Sequence, residues 1–311
     1  MPDGAFGKGL QRMICRAAMN AFPDRCRIMP LSDLTTWRIG GPCAVLAPHC
    51  LSELTAMMGW VEDTGTAWSM IGRGSNLLAP SRGWDGVVVS LQGDFRYFET
   101  RGGAVTAGGG VPLPALAGAA CSMGLSGLVF AVGIPGTVGG AVFMNAGAYG
   151  ESMMNVVRGV HVVFPGGETR HLGREECGFG YRTSSFQTRP GAVFSVDLEL
   201  FPGDRGELRK RARETLGKRR ASFPITVPNA GSVFRRPEDG PPPGMLLEQC
   251  GMKGFAVGGA RFSPVHANFI ENTGNACSED ILALVRAAKR MVLERTGILL
   301  QEEIRVIGGE T

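Results

Sequence analysis

GIPGTVGGAVFMNAGAYG, residues 133–150, lies at the end of a stretch, 102–150, that contains no Asp, Glu, Lys, Arg or His. Glycines crowd it instead. An uncharged run of this length has to be tested as a membrane span, since residues 127–150 are enough to cross a bilayer. Pro135 and the repeated glycines argue against that reading, because they break the segment into short pieces whose backbone groups would be unpaired in lipid. Two readings remain. Absent side chains let backbone N–H groups approach a ligand closely, and successive amides in turns form a concave anion site without any lysine, a surface suited to a diphosphate. The same glycines also serve tight turns and crowded strands.

Outward from that stretch, the chain of 311 residues exceeds what one hydrophobic core usually organises, which predicts about two domains. Hydrophobic residues at 44% and charged residues at 19% exclude disorder, and 47 glycines ask for many specialised backbone positions. The net charge of +4 is small, with basic residues scattered except around 205–220 and at Arg235 and Arg236, so no nucleic-acid partner is expected. Eight cysteines stand singly with no C-x-x-C, which fits reduced thiols in a cytoplasm better than a zinc site or a disulfide scaffold. The first residues, MPDGAFGKGLQRMICRAAMNAF, lack the long apolar core of a signal peptide and read as a short amphipathic helix. A cytoplasmic location is expected. Four scattered histidines show no metal cluster, and no metal is expected.

The coarse pattern is α+β. Ser52 is placed to cap a helix with Leu54, Met57, Met58 and Val61 on one face, ending at Gly65 before the strand-like WSMIG and the loop GRGSN. VVVSL, the hairpin-like FRYFETRGGAVTA and a helix from about Pro112 to Met123, stopped by Gly124, lead into the charge-free glycine segment. VHVVF, a turn at PGG, ETRHL and AVFSVDLEL read as further strands, mostly antiparallel. A basic helix opens at Asp204, with Glu207 completing a capping box, and the domain boundary is placed there. Near the C-terminus Ser278 is the expected cap of a helix carrying Ile281, Leu284, Val285, Ala288 and Val292, stopped by Gly297.

GRGSN (72–76) and GIPGTVGG (133–140) match neither G-x-G-x-x-G nor G-x-x-x-x-G-K-[ST], so an ordinary dinucleotide fold and a P-loop are both excluded. Elsewhere the candidates stand far apart. Arg182 in YRTSSF and Ser232 in NAGSVF read equally well as a loop arginine and a turn hydroxyl. In ILLQEEIRVIG, Ile298, Leu300, Ile304 and Val306 share one strand face while Glu303 and Arg305 take the other, aiming Glu303 at either a cleft or water. Arg235 and Arg236 suit a phosphate or carboxylate grip or plain solvation, and His266 in VHANFIEN reads as a hydrogen-bonding histidine.

TTWRIGGPC, IGRGSNLL, GLVFAVGIPGTVGGAVFMNAGAYG, FGYRTSSF, VPNAGSVFRRP, LLEQCGMKGFAVGGARFSPVHANFIEN and LLQEEIRVIG occur in an order that resembles the UDP-N-acetylenolpyruvoylglucosamine reductase (MurB) family, over residues 34–308. The resemblance implies an FAD-binding fold similar to the vanillyl-alcohol oxidase group: an N-terminal helical extension (1–30), an FAD-binding domain (31–203, with subdomains about 31–92 and 93–203) and a C-terminal α+β substrate-binding domain (204–311). It implies non-covalent FAD held by Gly72, Arg73, Gly74, Ser75, Asn76 and Leu77 in one loop. The second loop contributes Gly133, Ile134, Pro135, Gly136 and Thr137. It assigns catalysis to Arg182, Ser232 and Glu303, and substrate contacts to Arg235, Arg236, His266 and Asn268. No tyrosine follows Tyr181, so the chain resembles the shorter subclass that lacks an additional substrate-clamping loop.

The chemistry so implied uses NADPH and the enolpyruvyl ether of UDP-N-acetylglucosamine in turn at one site, with hydride reaching the terminal vinyl carbon by way of the flavin. Arg182 and Glu303 would stabilise the enol-like intermediate, and Ser232 would donate the proton. A flavin oxidase of the same fold acting on another substrate is disfavoured, since a proton donor is useful only after hydride addition to a double bond. A non-catalytic flavin or sugar-nucleotide binding protein is disfavoured by the presence of all three residues.

Overall fold

The computed structural model describes residues 9–309. Its first layer is a four-stranded sheet in the order Cys26–Pro30, Pro42–Leu46, Val87–Val89, Trp68–Met70, with the first pair antiparallel and the others parallel. Helices α1 (Leu10–Ala21) and α2 (Leu51–Thr64) pack on it, placing Cys15, Ala18, Leu54, Met57, Met58 and Val61 in one core. Gly65 at φ 61 ends α2 as its sequence implied, while Cys50, not Ser52, occupies the N-cap. Residues 9–30, the described part of the expected N-terminal helical extension, supply α1 and an edge strand of this sheet. Their strand pairs with Pro42–Leu46 along its whole length. The amphipathic helix expected within residues 1–22 is present as α1, and the part of that segment at 1–8 lies outside the described residues.

The second layer is a five-stranded antiparallel sheet ordered Thr169–Gly173, Val157–Val163, Ala192–Glu199, Ala104–Gly108, Phe98–Arg101. Helix α3 (Leu113–Met123), closed by Gly124 at φ 78, and the short α4 (Val138–Phe143) cover it. The uncharged stretch is explained in part by this packing, since Leu113, Leu116, Val138 and Val142 are fully buried there. Its longest helices are too short to span a bilayer, and among the described residues no helix is long and apolar enough to do so. The basic helix α5 (Arg205–Ser222) is capped by Asp204, whose carboxylate accepts from the Glu207 amide at 2.7 Å. It sets Leu208 in the same core, with Ala212 and Leu216 packed against it. It packs on α3, which covers the five-stranded sheet, so α5, the helix that follows the boundary expected at 204, shares its buried face with the layer before it.

The third layer contains α6 (Pro243–Gln249), α7 (Ser278–Thr296) and the strands Ala256–Val257, Ala260–Phe262 and Ile270–Asn272. Ile281, Leu284, Val285, Ala288 and Val292 are buried as their spacing predicts, and Gly297 closes α7 at φ 73. Cys277 rather than Ser278 is the N-cap. Two long-range ties bind this layer to the first. Trp37 is buried in its core and donates from Nε1 to the Ile270 carbonyl at 2.7 Å, while Asn272 donates back to the Trp37 carbonyl at 2.8 Å. The segment Arg305–Val306 pairs in parallel with Leu77–Leu78, which brings the end of the chain to the first glycine loop.

Candidate active site

The two glycine loops meet. Ser75 Oγ donates to the Pro135 carbonyl at 2.9 Å, and a Cβ on Gly72 would lie 2.5 Å from Thr137 Oγ1. Thr137 in turn caps α4, its hydroxyl oxygen accepting from the Gly140 amide at 3.3 Å. Together they floor a cavity of about 1530 Å³, larger than the roughly 300–1,000 Å³ of ordinary small-molecule pockets and roomy enough for a dinucleotide. Gly136, at φ 139, turns bare backbone toward it. Seven Arg or Lys side chains line the cavity against one carboxylate, Glu303, among the described residues. Bare main chain and an excess of positive charge suit the diphosphate and ribityl chain of FAD. All eleven residues assigned to the two loops line this cavity.

Within the first loop the roles divide. Gly74, at φ 59, packs so closely on the TTWRIGG segment that any Cβ would run into the Leu34 carbonyl and Thr35. Its own carbonyl accepts from the Thr36 amide at 3.3 Å. Gly74→Ala is expected to lose at least about 2 kcal/mol of stability from left-handed strain and backbone collision, with a lower melting temperature and less flavin retained on purification. Wild-type values of both would contradict this account. Asn76 turns away from the loop, its amide donating to the Glu303 carbonyl at 3.0 Å, and its own carbonyl accepts from the Arg305 amide at 3.0 Å. Asn76 thereby ties the first glycine loop to the segment that carries Glu303 and Arg305.

Arg182, Ser232 and Glu303, separated widely in sequence, converge at the edge of that cavity and also line a smaller one of about 550 Å³. Arg182 adopts φ 55 within the Gly180–Thr183 turn, a conformation that costs a branched or bulky side chain about 1–2 kcal/mol. Its Nε donates to Glu303 Oε1 at 2.7 Å, and Nη2 donates to the Gly147 carbonyl at 2.9 Å. The carboxyl of Glu303 is only 13% exposed. Burial pushes it above the usual carboxylate range, and the neighbouring Arg182 and Arg235 pull it back without cancelling that effect. Ser232 follows Gly231 at φ 76, and the Val233 carbonyl beside it accepts from the Glu303 amide at 2.7 Å. Among the described residues the Ser232 hydroxyl has no hydrogen-bond partner, so its proton is uncommitted.

The four residues assigned to substrate are distributed less evenly. Arg236, His266 and Asn268 line the smaller cavity. Desolvation lowers the His266 pKa, and its ring stacks on Phe223 with centroids 5.3 Å apart. Arg235 lines neither cavity; its Nε is buried without a partner, close enough to Glu303 and Arg305 to act on both electrostatically. Asn268 is 4% exposed and spends its amide on both backbone groups of Phe234, at 3.0 and 2.9 Å. It clamps the segment that carries Ser232.

Residues that the motifs did not single out also line the larger cavity. Arg219 lies directly over Gly133, where a Cβ would be 2.9 Å from its Nε, and over the Phe223 ring at 4.8 Å; desolvation lowers its pKa. The helical stripe Leu208, Ala212, Leu216 continues to position 219, and that periodicity was the available signal. Arg305 is held by Gln187 Oε1 at 3.3 Å and the Phe143 ring at 5.4 Å. Arg38 and Tyr149 line the same cavity with positive φ, as Arg182 does. Such strain concentrates at functional sites.

The layered fold and two-loop cradle define an FAD-binding oxidoreductase: residues 42–173 match the family model of the FAD binding domain. Residues 223–307 match that of the UDP-N-acetylenolpyruvoylglucosamine reductase C-terminal domain. A UDP-N-acetylenolpyruvoylglucosamine reductase of Heliobacterium modesticaldum is 46% identical over 280 residues, covering 90% of this chain and 89% of that protein. One from Bacillus subtilis is 39% identical over 282 residues, covering 90% and 93%. The crystal structure of UDP-N-acetylenolpyruvylglucosamine reductase (MurB) from Thermus caldophilus superposes with a TM-score of 0.79 at 35% identity, covering 91% of this chain and 98% of that one. The chain belongs to the UDP-N-acetylenolpyruvoylglucosamine reductase (MurB) family.

Proposed function

We propose that the protein uses NADPH to reduce the enolpyruvyl ether of UDP-N-acetylglucosamine to the lactyl ether, giving UDP-N-acetylmuramate for peptidoglycan precursors, with Ser232, Arg182 and Glu303 performing the proton chemistry. The observation that carries the reading is that these three residues line both cavities. They stand where a group in the smaller space would meet one in the larger. The reading includes a cytoplasmic setting, in keeping with cysteines spread singly along the chain.

FAD, which the two glycine loops at 72–77 and 133–137 would hold, would supply the hydride-transfer chemistry between NADPH and the vinyl carbon. Arg182, anchored through Nε and Nη2, keeps Nη1 for the substrate carboxylate, where negative charge grows as hydride adds. Glu303 fits a donor in its protonated form, and burial favours that form. One carboxyl oxygen accepts from Arg182 while the other presents its proton to the developing enol. Ser232 hands its proton to the adjacent carbanionic carbon, a transfer that a weakly acidic hydroxyl completes only at close range and with its developing charge stabilised.

The deciding experiment mixes anaerobically reduced protein with the enolpyruvyl sugar nucleotide and follows reoxidation and UDP-N-acetylmuramate formation. Absence of both would sink the proposal. Because protonated Glu303 is the active form, reoxidation is expected to slow as pH rises through its raised pKa. Glu303→Gln, a permanent neutral donor, should lose that alkaline decline while keeping measurable turnover, and a variant that retains the decline would contradict the assignment.

A further inference from the structure

The face of the five-stranded sheet that turns toward the first layer carries a side-chain group that takes no part in either cavity. His161 and His171 are directly opposite each other on the strands Val157–Val163 and Thr169–Gly173, with ring centroids 4.5 Å apart. Asp197, on the strand Ala192–Glu199, pairs with Gly159, two residues before His161. Its Oδ2 lies 3.0 Å from His161 Nε2 and 3.4 Å from His171 Nε2. Three residues scattered through the sequence thus converge on one point.

We propose that His161, His171 and Asp197 form a binding site for a borderline divalent transition-metal cation, zinc in the first place, which staples the edge strand Thr169–Gly173 to its two neighbours. Zinc binds imidazole nitrogen and carboxylate oxygen at about 2.0–2.2 Å, which sets adjacent donors about 3–3.5 Å apart. Both separations from Asp197 Oδ2 fall in that interval. Two neutral imidazoles with one carboxylate favour zinc, nickel, cobalt or copper over magnesium or calcium, which prefer oxygen donors.

Two features around the cluster support a ligand role. Asp197 Oδ1 accepts from Thr106 Oγ1 at 2.9 Å, which turns Oδ2 toward the histidines as outer hydrogen bonds do in metal sites. Gly159 leaves the gap that His171 crosses to reach Asp197. A Cβ there would lie 2.9 Å from His171 Cε1 and closer still to its Nε2. The three side chains are between 34% and 54% exposed, so water has access to complete the coordination. The turn at 165–167, which joins the two histidine strands, packs through Gly167 on Thr55 of α2, so the staple would brace the seam between the first two layers.

The test is calorimetric titration of chelator-treated, FAD-loaded protein with zinc chloride at neutral pH, alongside thermal melting. One site is expected with a dissociation constant in the micromolar range or below, and saturating zinc should raise the melting temperature on the order of 5 °C. His171→Gln and His161→Gln should each abolish the site at these concentrations, and Thr106→Val should weaken it about 10–100-fold. Retained flavin absorbance shows that each variant is folded. No stoichiometric binding below about 1 mM, or binding unchanged in both histidine variants, would overturn the proposal in favour of an ion-free hydrogen-bonded cluster or of zinc held by cysteines.

Discussion

Ser232→Ala is expected to slow reoxidation of the reduced protein by the enolpyruvyl sugar nucleotide by about a hundred- to ten-thousand-fold, roughly 3–5 kcal/mol of barrier. Reduction by NADPH should proceed at its normal rate. The asymmetry follows from the position of the hydroxyl, which lines both cavities and has no protein partner among the described residues. In the proposed reaction it would meet a carbanion that exists only after hydride has reached the substrate. Stopped-flow measurement of each half-reaction makes the comparison directly. Equal loss in both would assign Ser232 to architecture instead, through the neighbouring Val233 carbonyl that receives the Glu303 amide.

Arg182→Met should produce the second large effect, a fall of about 10²–10³ in the same half-reaction from loss of a preorganised donor at the developing charge. It should also move the alkaline decline. Removing the guanidinium takes away the largest influence opposing desolvation of Glu303, so the carboxyl keeps its proton to higher pH and the decline moves upward. The corresponding stability effect has a definite sign. A folded-state pKa raised above the ordinary 4.5 means that the folded protein binds the extra proton. Glu303 therefore imposes no ionisation cost below that value, and stability falls as pH rises from it through the folded pKa. Arg182→Met should extend that fall to higher pH in denaturation measured across the range. An alkaline decline unmoved or displaced downward would show that Arg182 does not govern Glu303.

Both glycine loops were legible because main-chain chemistry leaves a local mark. A loop that offers amides must dispense with side chains at intervals, as Gly72 and Gly74 do in residues 72–76 and Gly133, Gly136, Gly139 and Gly140 do in residues 133–140. The helix stripes were equally legible, and all five apolar positions of α7 are buried. Helix starts were less so, because Cys50 and Cys277 occupy caps where the neighbouring serines have the stronger intrinsic preference. The affiliation of α5 escaped a local reading as well. Its composition is that of a solvated helix, and only Leu208 among its residues is buried.

By itself the sequence determined the α+β pattern, the bare backbone of the two loops and, through the order of its motifs, the family. Tertiary structure decided what lies next to what. It brought Arg182, Ser232 and Glu303 to one edge, gave Asn76 and Asn268 to backbone clamping, drew Arg219 over Gly133, and gathered His161, His171 and Asp197 across three strands. The physical reason is one of range. Backbone preference and hydrophobic period act between residues a few positions apart and can be read along the chain. The protonation of Glu303 and the meeting of distant side chains depend on burial and on pairings between segments hundreds of residues apart, which exist only once the layers have closed.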